Sequence, residues 1–169
     1  MKIALFLTLF FSLMVFSLSL FAGHCNLLYW SNVNMGLGHV AVEIYDNDND
    51  NDQVPTYYMS YAMRNQKDSD LQELGVPEVI KLPDVDEATI EKFREWYLNS
   101  EYSQPNSSSY GSTFNLLSHN CSHAALNVIK AFGYKPNMNA HWGQTPRQVR
   151  NACREIPGAT NNLSVVSLQ

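Results

Sequence analysis

The chemistry-bearing residues of this chain are few, and the first to weigh are its three cysteines, Cys25, Cys121 and Cys153. An odd number leaves one thiol outside any internal disulfide scheme. Cys121 stands in the most informative stretch, residues 114–134, FNLLSHNCSHAALNVIKAFGY. There Ala124, Ala125, Val128, Ile129 and Phe132 recur at helical spacing, Gly133 suits the position just past a helix end, and Pro136 forbids continuation. Asn120 is a good N-cap, which puts Cys121 in the first turn. The unpaired N–H groups and dipole of a helix start favour an anion, so a thiol there should ionise more readily than a free cysteine, whose pKa is about 8.5. A thiolate nucleophile needs a base. His39 opens the alternating run HVAVEIY directly after Gly36-Leu37-Gly38, which lets backbone pack closely beside an imidazole at a strand edge.

Competing chemistry is weaker. His119 and His123 lie one helical turn apart around Cys121, but a structural zinc needs four ligands and no second Cys/His pair of suitable spacing exists. Neither is well placed as the base for Cys121, because positions two apart point to different sides of a helix. The run DNDNDND at residues 46–52 offers oxygen ligands for calcium, yet lacks the sixth-position Gly and twelfth-position Glu of an EF-hand and reads as a solvated hairpin tip. No metal or cofactor is expected. The aromatic set Trp96, Tyr97, Tyr102, Tyr110 and Trp142 reads mostly as core, although Tyr102, Tyr110 and Trp142 fall in loops and could line a substrate cleft.

The elements that must position these residues follow from patterning. Residues 3–22 form an uncharged apolar run after Lys2 that ends at Ala22-Gly23, and read as an export signal. An uncleaved anchor is the alternative, since about 20 apolar residues also span a bilayer. His24 before Cys25 spoils a lipoprotein cleavage box. The division is therefore a signal at 1–22, one domain at 23–157 and a flexible polar tail at 158–169. Eleven Lys and Arg against 16 Asp and Glu, a net charge of -5, leave no basic surface for nucleic acid. Residues 26–30 and 39–45 read as strands, 56–63 as the second arm of a hairpin, and 79–82 as a short strand closed by Pro83. A helix starts at Asp84 or Asp86 and carries Ile90, Phe93, Trp96 and Tyr97 inward as far as Asn99. Residues 100–113 form a long polar loop, and a last helix runs from the Thr145 cap and Pro146 to about Arg154.

The order GHVAVEIY, TYYMSYAM and, much later, FNLLSHNCSHAALNVIKAFGY resembles the circularly permuted branch of the NlpC-type papain-like superfamily, which includes PPPDE peptidases and lecithin retinol acyltransferase-like proteins. The resemblance covers roughly residues 27–154. It implies an α+β permuted papain-like fold, a small antiparallel sheet carrying the His packed against a helix carrying the Cys. It also implies Cys121 as nucleophile, His39 as general base, and an orienting group on the next strand at Ser60, with Glu43 as the alternative. The Cys121 N–H would help hold an oxyanion, and Trp142, Tyr110 and Asn120 would contact substrate. The expected activity is that of a secreted or periplasmic cysteine hydrolase, a peptidase or amidase acting on a peptide, protein or cell-wall amide. The alternatives are a lipid or thioester acyl hydrolase or acyltransferase on the same dyad, and a binding module without catalysis. Cys25 follows the signal and Cys153 ends the last helix, so a bridge between them would staple the domain's ends and leave Cys121 free. A monomer is expected, with no nucleic-acid partner and no membrane insertion after signal cleavage.

Overall fold

The structure is a computed structural model and describes residues 22–33, 36, 38–46, 55–60, 67–103, 120–138 and 144–162. Five strands form one antiparallel sheet: β1 (Gly23–Trp30), β2 (His39–Asp46), β3 (Tyr57–Met59), β4 (Glu78–Lys81) and β5 (Thr160–Asn162), in the order β3-β2-β1-β4-β5. Among the described residues four helices accompany it: α1 (Lys67–Leu74), α2 (Glu87–Leu98), α3 (Cys121–Ala131) and α4 (Pro146–Arg154).

β1 and β2 pair over their full length, from Gly23 opposite Asp46 to Trp30 opposite His39. Their connection is tight at its end: Gly38 takes φ +84°, and a Cβ there would meet the Trp30 carbonyl at 3.0 Å and the Tyr29 ring at 3.1 Å. A side-chain residue would be strained in φ and crowded at once. Residue 39 thus enters the sheet in a fixed register.

Every residue of β2 is buried, because helices cover both faces of the sheet. On one face Cys25, Leu27, Val40, Val42, Ile44 and Ile80 pack with Ile90 and Phe93 of α2, Ala124, Ala125 and Val128 of α3, and Val149 of α4. On the other, Leu28, Trp30 and Ala41 pack with Leu71 and Leu74 of α1. Each fully buried Leu, Ile or Phe contributes about 1.5–3 kcal/mol, so the α2–α4 side holds most of the stabilising burial.

Two elements differ from the sequence reading. α1 was not expected: KDSDLQEL is mostly polar, and only Leu71 and Leu74, three apart, mark its inner edge. The tail from residue 158, expected to be loose, contributes β5, which pairs Thr160, Asn161 and Asn162 with Lys81, Ile80 and Val79. β1 begins at Gly23 rather than 26, and among the described residues 56–60 the strand is Tyr57–Met59, with 61–66 outside the described residues. α2 takes Asp86, not Asp84, as its cap, with the Thr89 N–H donating to Oδ1 at 2.9 Å. α4 carries a full capping box between Thr145 and Gln148. The apolar run at 3–21, the Asp/Asn run from 47 on and most of the 100–113 loop lie outside the described residues. Among the described residues no helix is long and apolar enough to cross a membrane.

Candidate active site

The site forms where the start of α3 meets the start of β2. Asn120 folds its side chain over the helix end: Oδ1 accepts from the Ser122 and His123 N–H groups at 2.9 and 3.2 Å, and Nδ2 donates to the Gln144 carbonyl at 3.4 Å. The His123 ring turns Nδ1 to the same oxygen, 3.0 Å away. Asn120, expected to contact substrate, therefore spends its amide on the cap and on the lead into α4.

Cys121, the first residue of α3, sits against β2 in one cluster with Val40, Val42 and Ile44. Burial pushes the thiol pKa above its ordinary value, against the pull of the Val40 N–H, the Ser122 hydroxyl and N–H, and its own N–H. The helix start acts in the expected direction, but desolvation is larger, because the side chain is 9% exposed. The resting group is a thiol.

His39 is 2% exposed. Its Nε2 lies 2.9 Å from Ser60 Oγ, and its ring packs on Trp30 with centroids 5.6 Å apart. Burial lowers its pKa, and the charge of Asp70 raises it in part. The Tyr58 phenol, on the same side of β3 as Ser60, donates to Asp70 Oδ2 at 2.5 Å. Asp70 is the buried residue of α1, 1% exposed. Tyr58 and Asp70 were missed by the sequence reading. Alternation along residues 57–60 puts Tyr58 on the same side as Ser60 and offered a signal for the first; the second depends on α1, which the pattern hides.

The strand separates the two central side chains. Alternation turns His39 to the face of Trp30 and Ala41, while Cys121 belongs to the cluster of Val40, Val42 and Ile44. The thiol and the imidazole thus flank the same His39–Val40 peptide, and no hydrogen bond joins them. Glu43, the alternative orienting group, is engaged elsewhere: Lys67 Nζ lies 2.7 Å from Oε1, and Asn26 Nδ2 and Tyr45 OH donate to Oε2 at 3.3 and 3.1 Å.

All three cysteines are free thiols. The expected Cys25–Cys153 bridge is not formed, although the two are close enough for Cys153 to raise the pKa of Cys25. Both are 0% exposed, and burial pushes Cys153 up to about 12, so they pack as small apolar groups. Tyr102, for which core and cleft were both open, is core: it is 4% exposed, lies near Trp96 and accepts from Asn127 Nδ2 at 3.2 Å. Tyr110, Trp142 and His119 lie outside the described residues.

A cleft of about 490 Å³ opens at this end of the sheet, walled by Tyr29, Trp30, Val33, Leu74, Arg147 and Arg150. Trp30 borders both this cleft and the His39 ring, while Cys121 and His39 do not line it. Arg150 is held over the Tyr29 ring at 5.2 Å and bonded to Glu78 at 2.8 and 2.9 Å.

No family model and no curated protein matches the chain. Among solved structures it is similar to the crystal structure of the type VI secretion system effector TseH, with a TM-score of 0.52 and 12% identity, covering 80% of this chain and 90% of that one. The likeness is one of fold. Strand and helix order agree with the resemblance drawn from the motifs: an α+β domain whose antiparallel sheet carries His39 and packs against a helix opening at Cys121.

Proposed function

We propose that this protein is an exported cysteine hydrolase acting on a peptide or amide bond. The observation that carries the reading is the placement of Cys121: it opens a capped helix and packs in one cluster with Val40, the neighbour in sequence of a buried histidine whose Nε2 lies 2.9 Å from Ser60 Oγ. With the thiol pKa raised and the imidazole pKa lowered, the resting pair is neutral. His39 then acts as a general base during attack rather than as one half of a standing ion pair. The Cys121 sulfur bonds to the acyl carbon as the carbonyl pair moves to oxygen. The N–H of Cys121 is one donor for that oxyanion. Collapse expels the amine, which takes the proton from the imidazolium, and water activated by the same imidazole frees the acyl group. The reaction needs the thiol and imidazole to meet around the opening residue of β2, where Gly38 leads in.

A second reading, a binding module without catalysis, is favoured by the absence of a thiol–imidazole hydrogen bond and by the burial of the thiol. Reaction with p-nitrophenyl acetate followed by intact-mass and peptide mapping separates the two. An acetyl adduct on Cys121, absent in Cys121→Ser, supports the hydrolase. No adduct with full-length folded protein leaves the binding module standing.

A further inference from the structure

We infer that the cleft at the end of the sheet is a binding site for a short peptide that presents a carboxylate beside an apolar side chain, with Arg147 as the residue that takes the carboxylate. Neither Cys121 nor His39 lines this cleft, so the inference stands beside the hydrolase reading and does not rest on it.

Charge gives the first argument. The chain carries a net charge of -5, yet α4, PRQVRNACR, sets Arg147, Arg150 and Arg154 at i, i+3 and i+7, along one stripe of the helix. One acid answers all three. Glu78 of β4 accepts from Arg150 Nε and Nη2 at 2.9 and 2.8 Å through Oε2, and its Oε1 lies 2.6 Å from Arg154 Nη2. Both carboxylate oxygens are thereby engaged, and among the described residues Arg147 has no ion pair and no hydrogen bond. Arg147 also stands in the first turn of α4, where the helix dipole favours an acid over a cation, and that turn holds no acid. An unpaired cation at the wrong end of a helix breaks a local rule with no compensation inside the chain, which is the mark of a residue kept for a ligand. A bound anion offsets the unpaired charge and the helix end together.

The cleft supplies the rest. Its volume of about 490 Å³ falls in the range of small-ligand and short-peptide sites. Besides the arginines its wall contains Trp30, Val33, Leu74 and Val76, and Val76 is 54% exposed, an apolar side chain left in water. The wall is ordered in advance. The Val33 carbonyl accepts from the Gly36 and Gly38 N–H groups at 3.1 Å each, Trp30 Nε1 donates to the Gly75 carbonyl at 2.7 Å, and Arg150 is held over the Tyr29 ring at 5.2 Å. A wall already fixed loses little freedom on binding. Arg147 keeps its donors uncommitted, and its planar guanidinium suits a carboxylate through two parallel N–H bonds. A monoanion flanked by an apolar side chain uses both parts of this wall, whereas inorganic phosphate uses only one.

Isothermal titration calorimetry on the full-length chain tests the site, with wild type and Cys121→Ser run side by side; the two should agree, since the thiol does not line the cleft. The probes are acetyl-Gly-Gly-Leu with a free C-terminus, the same peptide as its amide, acetyl-Glu-Leu-Gly amide and inorganic phosphate. At least one carboxylate peptide should bind about tenfold more tightly than the Gly-Gly-Leu amide, the free terminus or the Glu side chain being identified as the source by which of the two does so. Arg147→Gln should remove that tenfold advantage, and added salt should erode it. Val76→Ser should weaken every leucine peptide severalfold, and Lys135→Gln, which removes a cation beyond the end of α3, should change nothing. Arg147, Val76 and Lys135 are all exposed, so these variants keep the fold. Equal binding of acid and amide peptides, equal affinity in wild type and Arg147→Gln, phosphate binding as tightly as the peptides, or no binding at millimolar peptide would each overturn the inference.

Discussion

Replacing Asn120 by alanine strips the cap from the helix that carries the thiol. Two backbone donors lose their acceptor, the N–H groups of Ser122 and His123 at 2.9 and 3.2 Å, and the link from Nδ2 to Gln144 goes with them. An exposed cap of this type is worth about 1 kcal/mol and at most about 2. This one is not exposed: Asn120 is 7% and Ser122 0% accessible, so water does not readily take over the vacated bonds. Leaving one buried donor unmet adds about 1–3 kcal/mol. Added to the usual ~1 kcal/mol of the cap, a total of about 2–4 kcal/mol is expected, which for a domain of this size lowers Tm by roughly 8–16 °C at ~4 °C per kcal/mol. Urea titration followed by circular dichroism should show a lower midpoint with unchanged slope. Asn120→Asp separates capping from chemistry. It keeps the acceptor and should cost less than about 1 kcal/mol, while its charge beside Cys121 raises the thiol pKa further and slows alkylation. A loss below about 0.5 kcal/mol in Asn120→Ala, or an equal loss in both variants, would refute the argument that this side chain builds the site.

Three further outcomes follow from the same structure. Because burial depresses the His39 pKa below its unfolded value, the unfolded chain binds more protons between the folded pKa and 6.5, so stability rises with pH through that window; His39→Gln should flatten this slope between pH 5 and 7 in urea midpoints. Cys25 and Cys153, both 0% exposed, should resist iodoacetamide in native protein and react only on unfolding, as read by peptide mapping. Phe93→Ala should cost about 3–5 kcal/mol, since its ring is fully buried and meets Tyr57, Trp96, Tyr97 and Phe132 at 5.3–6.0 Å, and a thermal melt will show whether the α2–α4 face is the main core.

Much of the site was legible because each part announced itself locally. Asn120 before an apolar stripe ended by Gly133 and Pro136 is a complete helix description, and Thr145-Pro146 is another. The strand of His39 was legible from alternation, but alternation alone reads His39, Ala41, Glu43 and Tyr45 as a second, more polar face. Here α1 covers that face, which is why a carboxylate and an imidazole on it are buried and must be paired. α1 itself left almost no trace, since its stability comes from docking Leu71 and Leu74 and from Asp70 meeting Tyr58, all non-local. The thiol's protonation state went the same way. The helix start was visible, and the burial that outweighs it comes from packing against β2, which is remote in the chain. Tyr102 looked like a loop aromatic because its partners, Trp96 and Asn127, lie in two different helices.

The central claim is that His39 activates Cys121, and the rate of Cys121 alkylation by iodoacetamide against pH, in wild type and His39→Ala, tests it most directly. The account predicts that wild type reacts faster than its raised thiol pKa alone would allow, with a rising limb set by the imidazole, and that His39→Ala loses both the limb and at least tenfold in rate at neutral pH. Identical profiles in the two proteins, following only the titration of an isolated buried thiol, would contradict it.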